Sequence, residues 1–508
     1  MKTYPSIFND CLSPVSPGPS SSNTAGPYRL GSMADDLLEG KASHLYIEMA
    51  KEGGYFATFY GMHSDKAFLA GILKKNIRTY DFDQIYTDAE SNDFSYTFEF
   101  TDSVPAKPSE SAWLTLRSDN GDKIFIKTAS LGGGEIVISE LDGIETYIDG
   151  KFYYLLVRAA TEKVSEVHTM LSCPFTTVDG GSGESLITVR SREPLNSKLV
   201  AELRHKEGVV YTRCINPVYD IIPVDTPQMP FATAEEKNIP VWQAALDYER
   251  AISGCSDSDL MKIAESLWDL SVYSAEQGYA VTSFDGNTSP HALQTKNRYE
   301  NGPIVSLGVA DKASADALSI MEYAAAHGVI ACMPTGGSSG IPVPSIRYSA
   351  EALKKSKEDC LKALLVAGIV GIFYYPKHYH GAWGCQAEIG VSISMTAGAL
   401  ASLLTDDPDV IERAAVLGAQ SVLGQICDPV DGCSQVPCFI RNMTAVPTAI
   451  ICANAALAGC ETLLGLDKMS ETVLRVGLKL KEYGINDLGV CYCKVQRDAA
   501  IATKRESR

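Results

Sequence analysis

The spacing of hydrophobic and polar residues divides the chain into regions of different character. Residues 1–148 combine a helical pattern over 43–60 with short alternating segments that predict strands. Residues 150–218 follow the order strand, helix, strand, strand, helix, strand, which is a βαββαβ arrangement. Beyond residue 241 almost every segment has helical spacing, and several of these helices are apolar on most faces, as is typical of helices inside a bundle.

These patterns predict a multi-domain α+β protein. We expect an N-terminal α+β catalytic half at 1–148, the βαββαβ module at 150–218, and a C-terminal all-α domain at 241–508. The segment 219–240 is rich in proline and poor in apolar repeats, so it is predicted to be a linker.

Composition and charge exclude some classes of partner. Of the 508 residues, 45% are hydrophobic and 21% charged, which is ordinary for a soluble protein. A net charge of −18 without a cluster of Lys and Arg argues against nucleic acid and anionic membranes. Fourteen cysteines without an export signal or regular spacing point to a reducing, cytoplasmic setting.

Three cysteines in the C-terminal half are the best candidates for chemistry. Cys385, Cys427 and Cys438 each lie next to residues that break or cap a helix, so their thiols can converge on one polynuclear iron site. Three thiolates leave one iron open to bind substrate, whereas a structural zinc site takes four ligands. Three structural cysteines are the alternative. A fourth thiol has three candidates, which are Cys433, Cys491 and Cys493.

A run of hydroxyl and amide side chains precedes a helix-capable stretch near the N-terminus. It consists of Ser20, Ser21, Ser22, Asn23 and Thr24. Backbone N–H groups at a helix start point at an anion, so this run predicts a carboxylate-binding cradle. Ordinary helix capping is the alternative.

Two further segments are candidates for substrate handling. His63 offers an imidazole, which is the side chain suited to proton transfer near neutral pH, although a helix-start histidine fits the pattern too. The segment Thr335, Gly336 and Gly337 opens a glycine-rich loop whose backbone donors can reach a carboxylate or an amino group. The alternative interpretation is a loop that only joins two helices.

The cysteine motifs, together with Pro-Gly-Pro-Ser-Ser-Ser-Asn-Thr at 17–24 and Ser-Leu-Gly-Gly-Gly at 130–134, give the chain a family resemblance. It resembles the iron-sulfur L-serine dehydratases (L-serine ammonia-lyases) with fused beta and alpha portions. The resemblance implies a 4Fe-4S cluster, no pyridoxal phosphate, and removal of water from a hydroxy amino acid, L-serine giving pyruvate and ammonia in amino-acid metabolism and gluconeogenesis. It also implies that the βαββαβ module is an ACT-like domain and that His63 belongs to a lid.

The chain departs from the family pattern at four positions. Asn23 and Ser421 stand where the family has His, Gly336 where it has Asn, and Ile440 where it has Glu. Arg441 and Asn442 are retained and are expected to bind an anion and orient cluster sulfur.

These departures predict altered substrate recognition. A dehydratase of another β-hydroxy acid or amino acid, and a non-catalytic iron-sulfur sensor, therefore remain alternatives. We expect a small-molecule hydroxy amino acid as ligand, a homodimer, and no nucleic-acid or membrane partner.

Overall fold

The computed structural model describes residues 4–51, 53–108, 110–223, 230–286, 288–375, 383–427 and 435–483. The chain divides into two compact units. The sheet unit is Ala25–Pro223, and the helical unit combines Met1–Thr24 with Val224–Arg508. The first 24 residues, expected to belong to a domain at 1–148, thus fold with the C-terminal helices.

The elements of the described residues are as follows in chain order. The strands are β1 (Val15–Pro17), β2 (Ala42–Ala50), β3 (Ser95–Thr101), β4 (Glu110–Ser118), β5 (Lys123–Gly132), β6 (Glu135–Leu141), β7 (Ile144–Ile148), β8 (Tyr153–Ala160), β9 (Phe175–Asp179), β10 (Glu184–Ser191), β11 (Val209–Ile215) and β12 (Val329–Ala331). The helices are α1 (Ala25–Leu37), α2 (Gly54–Thr58), α3 (Ser64–Ile72), α4 (Ile85–Ser91), α5 (Val164–His168), α6 (Ser197–Arg204), α7 (Pro230–Lys237), α8 (Val241–Ser253), α9 (Asp257–Gly278), α10 (Ala292–Asn301), α11 (Val309–Ala325), α12 (Pro342–Ala352), α13 (Lys357–Tyr374), α14 (Ile389–Ser402), α15 (Pro408–Gln420), α16 (Ile440–Leu457) and α17 (Leu466–Glu482).

A six-stranded sheet forms the first part of the sheet unit, in the order β3-β2-β4-β5-β6-β7. The predicted helix over 43–60 is wrong for most of its length, because β2 occupies its first part and only the short α2 is helical. Leu45, Ile47 and Met49 alternate along β2 and are fully buried on one face of the sheet. Alternation with a period of two is a strand signal, and pairing with β3 and β4 decides the conformation.

A four-stranded antiparallel sheet forms the second part of this unit, in the order β11-β8-β10-β9. Its elements follow the order β8, α5, β9, β10, α6, β11. A separate apolar cluster, which includes Leu155, Val157, Val167 and Leu203, packs these helices against the sheet. The chain is therefore a mixed α+β protein.

Two apolar helices form the centre of the helical unit. Ser356 and Asp359 close a capping box at the start of α13, and most residues of α13 and α14 are buried. Helix α14 packs against α13, α15 and α16, as expected of a helix that is apolar on most faces.

The first 24 residues are fixed to the helical unit by polar contacts and by a short sheet. Ser6 Oγ and the Ile7 N–H donate to the Glu249 carboxylate at 2.6 and 2.7 Å. Tyr248 donates from its hydroxyl to the Pro5 carbonyl at 2.7 Å. Strand β1 then pairs with β12, directly before the glycine-rich loop that starts at Thr335. These long-range contacts explain why the segment packs in the helical unit and not in the predicted N-terminal domain.

The predicted linker at 219–240 is partly helical. Helix α7 lies within it, and Phe231 is buried with its ring centroid 5.3 Å from that of Phe373. Part of the predicted linker is therefore held in place by an apolar contact.

One helical stretch in the described residues, Gln435–Leu457, has the length and composition that a membrane span requires. Core helices of soluble proteins pass the same test, so this is weak evidence for a span. Within it Asn442 is fully buried and hydrogen-bonded to two loops, which is the behaviour of a packed core helix.

Candidate active site in the helical unit

Three cysteine thiols meet from three separate loops. Cys385 begins a single helical turn, Cys385–Ala387, directly before α14, and its predecessor Gly384 has a φ of 86°. Cys427 follows the turn that ends α15, and Cys438 lies in the turn that leads into α16. The thiols of Cys427 and Cys438 both hydrogen-bond to that of Cys385. The structure thus brings together the three cysteines singled out from the sequence.

Arg441 links two of these loops. Its Nη1 donates to Cys385 Sγ at 3.0 Å and to the carbonyl of Ile426, the residue before Cys427, at 2.9 Å. Hydrogen bonds from the other two thiols, with the Arg441 guanidinium adding to them, hold the pKa of Cys385 well below its usual range. The hydrogen bond to Cys385 and burial raise the pKa of Cys427 and Cys438. Negative charge is therefore favoured on Cys385 sulfur.

Gln386 ties the same loops together through its amide groups. Its backbone N–H donates to the Gln425 carbonyl at 3.0 Å, and its Oε1 accepts from the Gly424 N–H at 2.8 Å. Its Nε2 donates to the carbonyls of Trp383 and Val473, each at 3.1 Å. Both donors and the acceptor of this buried side chain are used, so Gln386 fixes the Cys385 loop to the Cys427 loop and to α17.

Asn442 joins Cys438 to the glycine-rich loop. Its Nδ2 donates to the carbonyls of Gly337 and Cys438 at 2.7 and 2.9 Å, and its Oδ1 accepts from the Gly340 N–H at 3.1 Å. The side chain is fully buried. These contacts give Asn442 a positioning role for the loop.

Backbone atoms of the glycine-rich loop contact the serine-rich segment. The Gly336 N–H donates to Ser21 Oγ at 3.4 Å. A Cβ at Gly336 would lie 2.9 Å from the Pro19 carbonyl oxygen and 3.0 Å from the Ser21 nitrogen, closer than side chains tolerate. Thr335 and Ser338 fix the turn by a hydrogen bond of 3.1 Å between their hydroxyls. The departure at Gly336 therefore has a steric reason that the sequence alone does not show.

The serine-rich segment is a small hydrogen-bonded network. Asn23 Nδ2 donates to the hydroxyls of Ser20 and Ser22, each at 3.3 Å, and those two hydroxyls are 3.2 Å apart. Ser21 and Thr24 are buried. Asn23, where the family has His, orders the hydroxyls of its neighbours.

Glu388 was not selected from the sequence, although it lies in the quoted Gly-Cys-Gln-Ala-Glu-Ile-Gly motif. A methyl group on Gly337 would lie 3.6 Å from Glu388 Oε2 and 3.8 Å from Thr335 Oγ1. The charge of Glu388 is also a smaller contribution to the raised pKa of Cys427 and Cys438, after the hydrogen bond to Cys385 and burial. Its position three residues after Cys385 in the same motif is the feature of the sequence that points to it.

The other candidates from the sequence are described by their local contacts. His63 belongs to the sheet unit, where it is buried at the start of α3 with a φ of 63°. Near it in the sequence, Asp65 accepts a hydrogen bond from the Tyr86 hydroxyl, and burial raises the pKa of Asp65. Ser421 donates to the Gly418 carbonyl at 2.7 Å, and Ile440 is exposed. The three candidates for a fourth thiol, Cys433, Cys491 and Cys493, lie outside the described residues.

The donor set fits an iron-sulfur cluster by its chemistry. Thiolates are the ligands of such clusters, and a nearby guanidinium compensates negative charge on sulfur. Within the described ranges no group of three or more His, Cys, Asp or Glu side chains is arranged around one metal ion. Cys427 and Cys438 each hydrogen-bond to Cys385, so the fit rests on the type of donor and on the convergence of the three thiols.

Comparison with known proteins places these features in a family. The family model of the serine dehydratase alpha chain matches residues 236–485. The L-serine dehydratase of Streptomyces coelicolor is 27% identical over 518 residues, covering 96% of this chain and 98% of that protein. L-serine dehydratase 1 of Escherichia coli is 26% identical over 506 residues, covering 95% and 97%.

A shorter relative is similar to the C-terminal half. The L-serine dehydratase alpha chain of Peptoniphilus asaccharolyticus is 30% identical over 265 residues, which are 50% of this chain and 89% of that protein. The matched alpha-chain region contains Cys385, Cys427, Cys438 and Arg441, whose contacts build the site. The chain therefore belongs to the L-serine dehydratase family.

Proposed function

We propose that this protein is an L-serine dehydratase, which converts L-serine to pyruvate and ammonia. The observation that carries the proposal is the convergence of Cys385, Cys427 and Cys438, with Arg441 on one of the sulfurs, in a member of this family. Relatives that match nearly the whole chain are named L-serine dehydratases. The protein is thus a carbon-oxygen lyase.

The reaction balances without a redox step. A base takes the proton from Cα, the Cβ–O bond breaks, and the hydroxyl leaves with a proton as water. The product, 2-aminoacrylate, tautomerises to the imine of pyruvate. Water then hydrolyses this imine to pyruvate and ammonia.

The three cysteines are proposed to hold a 4Fe-4S cluster. When bound, such a cluster supplies a Lewis-acidic iron that makes hydroxide a better leaving group. Arg441 hydrogen-bonds to the Cys385 sulfur and to the Cys427 loop. Gln386 connects the loop that contains Cys385 to the loop that contains Cys427. Asn442 holds the glycine-rich loop against the Cys438 turn.

Other roles follow from residue chemistry and family resemblance. Ser20, Ser21, Ser22, Asn23 and Thr24 are proposed to bind the substrate carboxylate, since this segment presents several hydroxyls and amides. His63 is proposed for proton transfer. The βαββαβ module is proposed to be ACT-like because its four strands have the order β11-β8-β10-β9. We further propose a cytoplasmic homodimer that uses no pyridoxal phosphate.

Anaerobic reconstitution with iron and sulfide, followed by assay of pyruvate release from L-serine, tests the proposal. We expect about four irons per chain and activity that air destroys, because an iron with an open position is readily lost. Replacing Cys385, Cys427 or Cys438 by Ala should remove both iron and activity. Cys452→Ala, at another buried free cysteine, is the matched control.

The result separates the two parts of the proposal. Full iron retention in all three single variants contradicts the cluster assignment. A reconstituted protein that binds iron but releases no 2-oxo acid from L-serine contradicts the catalytic assignment and favours a sensor. Release of a 2-oxo acid only from another hydroxy amino acid favours the altered-substrate alternative.

A further inference from the structure

Helix α16 buries one face and exposes the other. Helices α13 and α14, in contrast, are buried along most of their length. The exposed face of α16 carries Ile440 and Ile451, which are 58% and 65% exposed. The sequence has no charged residue between Arg441 and Glu461. The exposed face is lined by six positions, here named the outer seam, which are Ile440, Thr444, Pro447, Ile451, Asn454 and Ala458.

The spacing of the outer seam is that of a helix-helix contact. Steps of four and three residues alternate along it, which keeps the six side chains on one line of the helix. A surface helix without a partner normally carries charged residues on such a line. Helix α17 is an example, because ion pairs join Lys468 to Glu471 and Lys479 to Glu482 on its exposed side. The outer seam therefore has the character of a contact surface for another helix.

The opposite face fixes α16 within the helical unit. Asn442 hydrogen-bonds to the glycine-rich loop and to the Cys438 carbonyl. Pro447 has no N–H to donate to the Met443 carbonyl, and Ser314 Oγ donates to that carbonyl instead, at 3.0 Å. With its inner face anchored in this way, α16 does not leave the unit to cross a membrane. A partner for the outer seam has to approach it from outside.

The outer seam is complementary to itself. If two α16 helices pack antiparallel, with a two-fold axis between positions 447 and 451, the large Ile440 faces the small Ala458. Thr444 then faces Asn454, and these are two side chains that can hydrogen-bond to each other. A polar pair within an apolar seam fixes the register of two helices. The seam thus supplies both halves of one interface.

The charge of the protein also favours a second copy at this surface. Each chain has a net charge of −18, so two chains repel each other over most of their surfaces. Contact along the outer seam opposes no like charges, because the stretch between Arg441 and Glu461 is uncharged. The same net charge disfavours an anionic membrane as the partner.

We propose that the outer seam of α16 binds a second copy of this chain, with the two helices antiparallel and Thr444 opposite the partner subunit's Asn454. The inference rests on the homodimer of the proposed function and names the surface that forms it. Ile440, one of the departures from the family pattern, belongs to this surface. Arg441 and Asn442 lie in the first turn of the same helix, so the interface is built on the element that positions the cysteine loops.

Ile451→Glu tests the surface. The substitution places an unpaired charge in the interface, so the dissociation constant of the dimer should rise about 100- to 1000-fold. Analytical ultracentrifugation of the anaerobically prepared, full-length protein over a series of concentrations measures this constant. Leu478→Glu, at an exposed leucine on α17, is the matched control and should dimerise like the wild type.

A mixture of two variants tests the register. Thr444→Lys and Asn454→Glu should each weaken the dimer, since each buries a charge without a partner. In an equimolar mixture the new lysine faces the new glutamate, and the second Thr444–Asn454 contact keeps its native residues. Mixed dimers should therefore form where each variant alone is monomeric. Positions 444 and 454 are about 15 Å apart along one helix, so the pair does not form within a chain.

The melting temperature of each variant shows whether it is folded. If the charged variants do not fold, the milder Ile451→Ala decides, because it should weaken the dimer about 10-fold while Leu478→Ala should not.

Three results overturn the inference. They are a wild-type protein that stays monomeric, an Ile451 variant that dimerises as tightly as the wild type, and a mixture of folded Thr444→Lys and Asn454→Glu chains that does not associate. Sedimentation of a monomeric wild type with phosphatidylcholine vesicles would assign the seam to a membrane instead. No step of the test uses serine turnover, so a failure of the interface and a failure of the proposed catalysis are distinguishable.

Discussion

Arg441 Nη1 lies 3.0 Å from the sulfur of Cys385, and the same nitrogen donates to the carbonyl that precedes Cys427. One guanidinium thus connects two loops that are far apart in the sequence. It also places a positive charge beside a sulfur whose pKa lies well below its usual range. Substitution of Arg441 therefore tests whether this contact matters for the arrangement of the cysteines.

Replacing Arg441 by Gln should weaken cluster retention without unfolding the protein. The variant loses the charge beside Cys385 and one anchor of the Cys427 loop, and loss of such an outer partner typically costs about 10- to 100-fold in metal affinity. The rate of iron loss to a chelator measures the effect. Arg475→Gln, at an exposed position on α17, is the control and should lose iron as slowly as the wild type. Equal rates in the two variants would show that the Arg441 contact is unimportant.

Replacing Gln386 by Leu should destabilise the helical unit. The substitution removes the side-chain hydrogen bonds to the Gly424 N–H and to the Trp383 and Val473 carbonyls, of which the last is buried and the other two are partly buried. A loss of about 2–5 kcal/mol is expected. Denaturant unfolding of the protein without iron measures it. Gln420→Leu, at the exposed end of α15, should unfold like the wild type, and a similar result for Gln386→Leu would contradict the bridging role.

Replacing Gly336 by Ala should loosen the contact between the glycine-rich loop and residues 19–21. The new Cβ would meet the backbone of Pro19 and Ser21 at 2.9 and 3.0 Å, which overpacks the loop by about 1–3 kcal/mol. Limited proteolysis should then cut the N-terminal segment faster. Gly337→Ala serves as the stability control, since its added methyl group meets no atom closer than 3.6 Å. If the protease cuts both variants at the same rate, the steric explanation for Gly336 is wrong.

Glu249 should give the protein a pH-dependent stability. This carboxyl is fully buried, and burial raises its pKa from 4.5 to about 7. Between pH 4.5 and about pH 7 the folded state binds more protons than the unfolded state. The free energy of unfolding therefore falls as pH rises from 4.5 to 7, by about 3 kcal/mol for this group.

Glu249→Gln removes the titrating group. As pH rises from 5 to 8, the melting temperature of the variant should therefore increase relative to that of the wild type. Glu276→Gln, on the exposed face of α9, is the control and should follow the wild-type profile. If Glu249→Gln also follows that profile, the carboxyl stays ionised in the fold and the raised pKa is wrong.

Much of the candidate site was accessible from the sequence. Cys385, Cys427 and Cys438 were recognisable because cysteines beside helix-breaking residues mark loops able to supply ligands. The helices of the C-terminal half followed from their apolar spacing, since that pattern reports on the local backbone. Gln386 and Glu388 were not selected, because an amide or a carboxylate in a short motif shows no partner until distant chain segments meet.

The sequence by itself determined the family resemblance, the mixed α+β class and the choice of Cys385, Cys427 and Cys438 as candidate ligands. The tertiary structure decided that residues 1–24 fold with the helical unit, because Glu249 and β12 supply their partners from more than 200 residues away. It also decided that 42–50, most of which was predicted to be helical, is a strand, since the segment pairs with β3 and β4. Local spacing fixes what a segment can form, and long-range pairing selects which form is stable.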